Sequence, residues 1–159
     1  MKKVLFLLMA MIAFGFQSVS AQDGIKIVTN HPDLKIKVKR CAASGKTVVV
    51  DLVFTNTSEN DADMTICMGN GGTTIHDDEG NEYSGGYDGP ISVKIANKQP
   101  GQWVEDFTLI AGVPTNVKWT ITGIPNTVEE IARMQFTLVC KAWSLDNKVT
   151  IRNIPISRN

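Results

Sequence analysis

The acidic stretch TTIHDDEGNEYSGGYDGP, residues 73–90, holds the side chains best suited to chemistry in this chain. Asp77, Asp78 and Glu79 stand in a row, and their carboxylate oxygens suit the weak calcium sites found in extracellular modules. Their spacing, however, departs from the D-x-[DN]-x-[DN]-G pattern of a calcium loop. Gly80 follows them and favours a β-hairpin turn in which the acids only keep the turn solvated. We therefore expect a turn without a bound metal.

No set of residues in the sequence forms a recognisable catalytic group. His76 and Asp77 are neighbours in a predicted strand, so their side chains point to opposite faces. Glu105 and Asp106, the pair that a carboxylate-based hydrolase would use, diverge for the same reason. No serine lies in a G-x-S-x-G motif, and His31 is expected to be exposed. The sequence thus predicts no catalytic residue and no cofactor.

Exposed aromatic side chains are the remaining candidates for binding, because an aromatic platform can hold a sugar or a protein partner. Tyr83 and Tyr87 flank the sequence SGG, and Trp103 stands at the end of a predicted strand. Trp119 has the parity of a core residue instead. The candidate ligand-binding residues are therefore Trp103, Tyr87 and Tyr83.

The N-terminal sequence MKKVLFLLMAMIAFGFQSVSAQ is typical of a secretory signal peptide. Lys2 and Lys3 form its positive region, an apolar run follows, and Val19 and Ala21 occupy the small-residue positions of a cleavage site. These features predict a signal peptide of residues 1–21 and one exported domain of residues 22–159, periplasmic or at the cell surface. No further apolar segment is long enough to cross a bilayer.

The charge of the chain argues against nucleic acid as a partner. The sequence contains 16 basic and 16 acidic residues. Removing residues 1–21 removes two lysines and no acids, which leaves a net charge of about −2. A nucleic-acid-binding domain needs a basic face, which this composition does not predict.

Most of the remaining sequence alternates between apolar and polar residues with the period of a β-strand. LKIKVKR, residues 34–40, alternates apolar and basic residues, and a second strand, TVVVDLVF, follows a turn that contains Gly45. These two segments predict a hairpin. In the strand ARMQFTLVCKAW, Cys140 and Ala142 have inward parity. The alternation also assigns one core to Val50, Leu52, Phe54, Trp119, Ile121, Phe136 and Leu138. In ADMTICMG it places Met64, Ile66 and Met68 on the face opposite to Thr65 and Cys67.

One short helical turn is predicted between late strands. In IPNTVEEIA, Asn126 suits the N-cap position and Glu129 follows three residues later, as in a capping box. Together with about seven to nine short strands, this pattern predicts an all-β fold, an immunoglobulin-like antiparallel β-sandwich. A small β-barrel is the alternative.

Three cysteines lie in the predicted mature chain, and an odd number leaves at least one unpaired. Cys140 has inward parity, whereas Cys41 and Cys67 fall on or near solvent-facing positions. The pattern leaves two alternatives open, a disulfide between Cys41 and Cys67 or three free thiols.

Three turn motifs punctuate the strands. The first is an N-x-[ST/G] turn at Asn56, the second is the hairpin sequence DDEGNEY, and the third is a segment from Pro114 through a strand to Gly123. In these motifs the chain resembles a largely uncharacterised group of secreted immunoglobulin-like β-sandwich proteins of Bacteroidetes-type bacteria. The match covers most of residues 34–140. The resemblance implies the sandwich fold and a periplasmic or surface location in a Gram-negative cell, and it carries over no catalytic residue.

The function predicted from the sequence is that of an exported, non-catalytic module. It would bind a protein or glycan partner at the cell envelope, or serve a structural role there, through edge strands and glycine-rich loops. A small secreted hydrolase and a calcium-dependent adhesin-like domain are the alternatives.

Overall fold

A computed structural model describes residues 20–22, 24–69, 71–140 and 148–158 of the chain. Within these residues the chain forms thirteen strands and no helix, as the alternating pattern predicts for an all-β protein. The strands are, in chain order, β1 (Ser20–Gln22), β2 (Ile25–Thr29), β3 (Leu34–Ser44), β4 (Thr47–Asn56), β5 (Ala62–Cys67), β6 (Thr73–His76), β7 (Glu82–Ser84), β8 (Ile91–Ile95), β9 (Val104–Leu109), β10 (Thr115–Thr122), β11 (Glu130–Cys140), β12 (Lys148–Pro155) and β13 (Ser157–Arg158).

The strands form two sheets that pack into an immunoglobulin-like β-sandwich, the predicted fold. The first sheet has eight strands, in the order β1-β2-β12-β11-β5-β9, with β6 pairing to β11 and β7 pairing to β6. The second has the order β13-β3-β4-β10-β8. Its β13–β3 pair is parallel, and the other strand pairs of both sheets are antiparallel. The strand count exceeds the predicted seven to nine partly because short edge strands such as β1, β7 and β13 add to it.

The core lies between the two sheets and follows the predicted parity. Phe136 of β11 contacts two aromatic rings of the opposite sheet, with centroids 5.1 Å from Trp119 and 6.0 Å from Phe54. Ala142, which was assigned to the same strand face, lies outside the described residues. The structure confirms the burial of Val50, Leu52, Phe54, Met64, Ile66, Trp119, Ile121, Phe136, Leu138 and Cys140.

The predicted helical turn around Asn126 is wrong, because the segment between β10 and β11 is an irregular loop. Its backbone groups pair with other parts of the chain. The Arg158 guanidinium donates to the carbonyl oxygens of Pro125, at 3.0 Å, and Val128, at 2.7 Å. The carbonyl of Glu129 accepts a hydrogen bond from the backbone between β12 and β13. One local hydrogen bond remains, from the Val128 N–H to the Pro125 carbonyl at 3.3 Å, and the other pairs join this loop to distant segments.

A β-bulge between Val38 and Arg40 reverses the parity of β3. Lys39 and Arg40 are both exposed, so Cys41 faces the core, whereas the sequence pattern placed it on or near the solvent side. Burial raises the pKa of the Cys41 thiol to about 12, so that thiol is neutral at pH 7. Cys67 lies in β5 of the other sheet, and both cysteines are free, which decides against the disulfide.

The strand β1 contains the predicted signal-peptide cleavage point. Ser20 pairs with Ile27, and Gln22, the predicted first residue after cleavage, pairs with Ile25. Residues 1–19 of the predicted signal peptide lie outside the described residues. The described part of the chain contains no helix long and apolar enough to cross a membrane.

Candidate functional site

The acidic stretch forms a β-hairpin, as predicted. The strands β6 and β7 pair antiparallel, with Thr74 opposite Ser84 and His76 opposite Glu82. Gly80 in the turn has a φ of +86°, in the left-handed region that glycine adopts without the steric cost of a side chain. The hairpin therefore depends on this glycine for its backbone path.

Asp77 holds the turn together from inside. Its side chain is buried, with the residue only 2% exposed. The Oδ1 atom accepts hydrogen bonds from the backbone N–H groups of Glu79, at 3.1 Å, and Asn81, at 2.8 Å. The Oδ2 atom accepts from Asn81 Nδ2 and from the Tyr83 hydroxyl, both at 2.9 Å. Burial alone would raise the pKa of Asp77, but these hydrogen bonds outweigh it and hold that pKa below its usual value.

The other two acids of the row take different roles. The carboxylate of Asp78 accepts a hydrogen bond from the Glu129 N–H at 3.2 Å, which joins the hairpin to the loop before β11. Glu79 is exposed. Within the described ranges, no group of three or more His, Cys, Asp or Glu side chains is arranged to hold a metal ion. The structure therefore does not bring Asp77, Asp78 and Glu79 together around one point.

Tyr83, a candidate ligand-binding residue, lies inside the hairpin. It is buried, and its hydroxyl donates to Asp77. Burial and this hydrogen bond raise the pKa of Tyr83 to about 12. Its ring therefore packs in the domain and offers no platform at the surface.

The other two aromatic candidates lie at one end of the sandwich, where three glycine-containing segments meet. Met68 N–H donates to the Trp103 carbonyl at 2.8 Å, and Gln102 Nε2 donates to the Gly89 carbonyl at 3.2 Å. Gly85 N–H donates to a carbonyl at the start of β6 at 2.9 Å. We call this surface the aromatic loop end, defined by residues 68, 69, 71 and 72, residues 84–90, and residues 101–103.

Both aromatic side chains of this surface are exposed. Tyr87 is 80% exposed and Trp103 is 52% exposed. The Trp103 ring rests on Gly69, where an added Cβ would lie 3.0 Å from ring atom Cζ3. The sequence analysis did not single out Gly69, whose lack of a side chain leaves room for this ring.

The two carboxylates considered for hydrolysis have separate partners. The Glu105 side chain lies against Gly101, in the space that a Cβ there would occupy. The Asp106 carboxylate accepts a hydrogen bond from Thr65 Oγ1 at 2.5 Å and is exposed. As expected from their adjacent positions in a strand, they do not form a facing pair.

The two histidines are also apart. His76 Nε2 lies 3.2 Å from Glu82 Oε2 across the hairpin. His31 is only 1% exposed, and its Nε2 lies 2.9 Å from the Leu138 carbonyl oxygen. The expectation that His31 is exposed is therefore wrong, because this residue links the segment before β3 to β11.

No protein-family model and no curated protein matches the chain. Among solved structures, it is similar to an ASH/PapD-like domain of human CEP192, with 10% identity, a TM-score of 0.39, and coverage of 80% of this chain and 84% of that one. It is also similar to the N-terminal domain of PorA, with 15% identity, a TM-score of 0.39, and coverage of 79% and 97% respectively. Similarity at this level carries no argument about function.

Proposed function

We propose that this protein is an exported, non-catalytic immunoglobulin-like module that binds a protein or glycan partner at the cell envelope through its aromatic loop end. The observation that carries the proposal is the exposure of Tyr87 and Trp103 on joined segments. Tyrosine and tryptophan offer a large contact area with few rotatable bonds, so little conformational entropy is lost when they bind.

The position of the exposed apolar side chains supports this choice of surface. Five large hydrophobic residues are exposed among the described residues, and Tyr87, Trp103 and Val104 belong to the aromatic loop end or adjoin it. The other two, Ile110 and Val113, lie in the turn between β9 and β10. That turn is one strand length away, about 20 Å for the six residues of β9.

The backbone of the aromatic loop end is already fixed by hydrogen bonds. The contact of Gln102 with Gly89 and that of Met68 with Trp103 tie the segments together before any partner binds. A surface that is ordered in advance loses less entropy on binding. The separate partners of Glu105 and Asp106 also support recognition over hydrolysis, because a glycosidase needs two carboxylates on either side of one bond.

Export is proposed from the N-terminal sequence alone. The positive region, the apolar run and the small residues at Val19 and Ala21 support cleavage after Ala21. The material for the binding test is therefore the exported product, and its intact mass should correspond to a first residue of Gln22. A product that retains Met1 would contradict the export proposal. The binding proposal could still be tested on that product, because it concerns residues 68–103.

The binding test compares two double variants. Tyr87→Ala/Trp103→Ala removes the two aromatic rings, and Ile110→Ala/Val113→Ala removes two exposed apolar side chains from the turn between β9 and β10. Each protein is applied in solution to a glycan array. In a second assay it is immobilised and exposed to a solubilised envelope fraction. We expect a ligand that binds wild type and the control variant, with at least tenfold weaker binding to the aromatic variant.

Folding of each variant is checked by its melting temperature, because Trp103 also packs on Gly69. The single variant Tyr87→Ala serves as a second probe, since Tyr87 is mostly exposed and its loss should leave stability unchanged. The binding proposal is refuted if every ligand of the wild type binds equally well to the folded aromatic variants.

A further inference from the structure

A concave, cationic surface lies on the outer face of the second sheet, away from the core. It forms an open cavity of about 570 Å³, within the usual size range of small-ligand sites. We call it the basic cavity. Its charged and amide-bearing lining residues are Lys39, Arg40, Asp51, Lys94, Asn116 and Lys118.

Strand register places these charges in one row. Arg40 of β3 is opposite Asp51 of β4, Asp51 is opposite Lys118 of β10, and Lys118 is opposite Lys94 of β8. Neighbouring strands lie about 4.8 Å apart, so the row extends about 14 Å across four strands. The bulge in β3 turns Lys39 outward beside Arg40 and widens the row.

The basic cavity carries far more positive charge than the composition of the chain predicts. Four cationic side chains and one carboxylate line it, a net charge of about +3. The whole sequence has equal numbers of basic and acidic residues. Positive charge is therefore concentrated here, and charge of one sign in a concave surface attracts ligands of the opposite sign.

Asp51 gives the basic cavity a second kind of contact. Its Oδ2 atom accepts from Arg40 Nε and Nη2, each at 3.0 Å, and its Oδ1 atom lies 3.9 Å from Lys118 Nζ. The Asp51 side chain is 22% exposed, so part of it still faces the cavity. The exposed part of this carboxylate can accept hydrogen bonds from hydroxyl groups. The Asn116 amide can both donate and accept.

We propose that the basic cavity binds an acidic glycan, a chain of sugars that carry uronate carboxylates. The carboxylates would pair with Lys39, Lys94 and Lys118, and the sugar hydroxyls would donate to Asp51 and bond to Asn116. DNA matches the row of cations but carries no hydroxyl groups beside its phosphates, so it offers no hydroxyl donor to the exposed part of the Asp51 carboxylate. This proposal does not depend on the aromatic loop end, which lies on loops at one end of the sandwich and not on this face of the second sheet.

The test measures binding of polygalacturonate to the folded, exported protein by titration calorimetry. Lys94→Gln/Lys118→Gln removes two cations of the basic cavity. Lys26→Gln/Lys46→Gln is the matched control, because it removes the same charge from β2 and from the β3–β4 turn. Fully methyl-esterified polygalacturonate, polyglutamate and a DNA oligonucleotide serve as comparison probes at equal ionic strength.

We expect polygalacturonate to bind wild type and the control variant, and to bind the cavity variant at least tenfold more weakly. Esterification should weaken binding by a similar factor, and added salt should weaken it further, because exposed charges are screened. Absence of polygalacturonate binding would overturn the proposal. Equal loss in the control variant would also overturn it, since net charge would then explain the effect. Tighter binding of polyglutamate or DNA than of polygalacturonate would overturn it as well, since the surface would then recognise negative charge alone.

Discussion

Replacing Asp77 by alanine tests whether one buried carboxylate holds the hairpin of β6 and β7 together. The change removes the acceptor of four hydrogen bonds. Glu79 and Asn81 are exposed, so their released donors can bond to water at little net cost. The Tyr83 hydroxyl is buried and loses its charged acceptor, a loss worth about 1.5–3 kcal/mol. With a smaller contribution from the exposed donors, we expect Asp77→Ala to lower the free energy of unfolding by about 2–4 kcal/mol.

The stabilisation by Asp77 should also depend on pH in a definite direction. The pKa of Asp77 is lower in the folded state than its usual value near 3.9. A carboxyl group with a lowered folded-state pKa stabilises the protein above its unfolded-state pKa, and this contribution is lost as the pH falls through the folded-state pKa. The difference in stability between wild type and Asp77→Ala should therefore stay constant from about pH 7 to 5 and shrink below about pH 4.

Urea denaturation followed by tryptophan fluorescence measures these differences. The matched control is Asp78→Ala in the same turn, because Asp78 is exposed and accepts one backbone hydrogen bond at 3.2 Å. We expect that control to cost less than about 1 kcal/mol. A double-mutant cycle with Tyr83→Phe should give a coupling energy of about 0.5–3 kcal/mol between Asp77 and Tyr83. If Asp77→Ala costs no more than Asp78→Ala, the buried network does not stabilise the hairpin as reasoned.

Two further substitutions test the core and the turn by the same urea assay. Phe136→Ala should cost about 3–5 kcal/mol, because the ring is fully buried against Trp119 and Phe54 across the two sheets. A cost below about 1 kcal/mol would contradict the assigned core. Gly80→Val should cost more than about 1 kcal/mol, because a β-branched residue resists a φ of +86°. Gly80→Asn should cost less, since asparagine tolerates the left-handed region, and equal costs for the two variants would argue against backbone strain.

The sequence predicted the strands and the core well because burial selects one face of every strand. In β4, Val50, Leu52 and Phe54 alternate with less buried residues, so the pattern identified the buried face without knowledge of the neighbouring strands. The same reasoning failed at Cys41, because a bulge inserts one residue and reverses the parity. In the sequence, the adjacent charged residues Lys39 and Arg40 interrupt the alternation at the position of that bulge.

The predicted helical turn failed for a different reason. A capping motif is a local feature, whereas most hydrogen-bond partners of this loop are distant in sequence. Arg158 pairs with the carbonyls of Pro125 and Val128, and Asp78 pairs with the N–H of Glu129. Tertiary contacts commonly override a weak local preference, and no local pattern reveals which distant residue will supply them.

The candidate binding residues show what the residue type alone predicts and what depends on the folded structure. Tyr87 and Trp103 were chosen as aromatic residues beside glycine-rich or strand-end sequence, and both are exposed. Tyr83 was chosen on the same grounds and is buried, because its hydroxyl reaches an aspartate six residues earlier. Composition identified the residue types, but only the hairpin geometry separated the exposed rings from the buried one.

The basic cavity illustrates that the net charge of a chain does not predict how charge is distributed over its surface. LKIKVKR shows that one strand of the second sheet has a cationic outer face, and Lys94 and Lys118 lie on the outer faces of two other strands. The sequence does not show that these strands are neighbours, so a balanced total charge concealed the concentration of positive charge. The prediction that nucleic acid is not a partner was based on that total. It stays a prediction, and the DNA oligonucleotide in the binding test measures it directly, because a concave surface with a net charge of about +3 attracts anions.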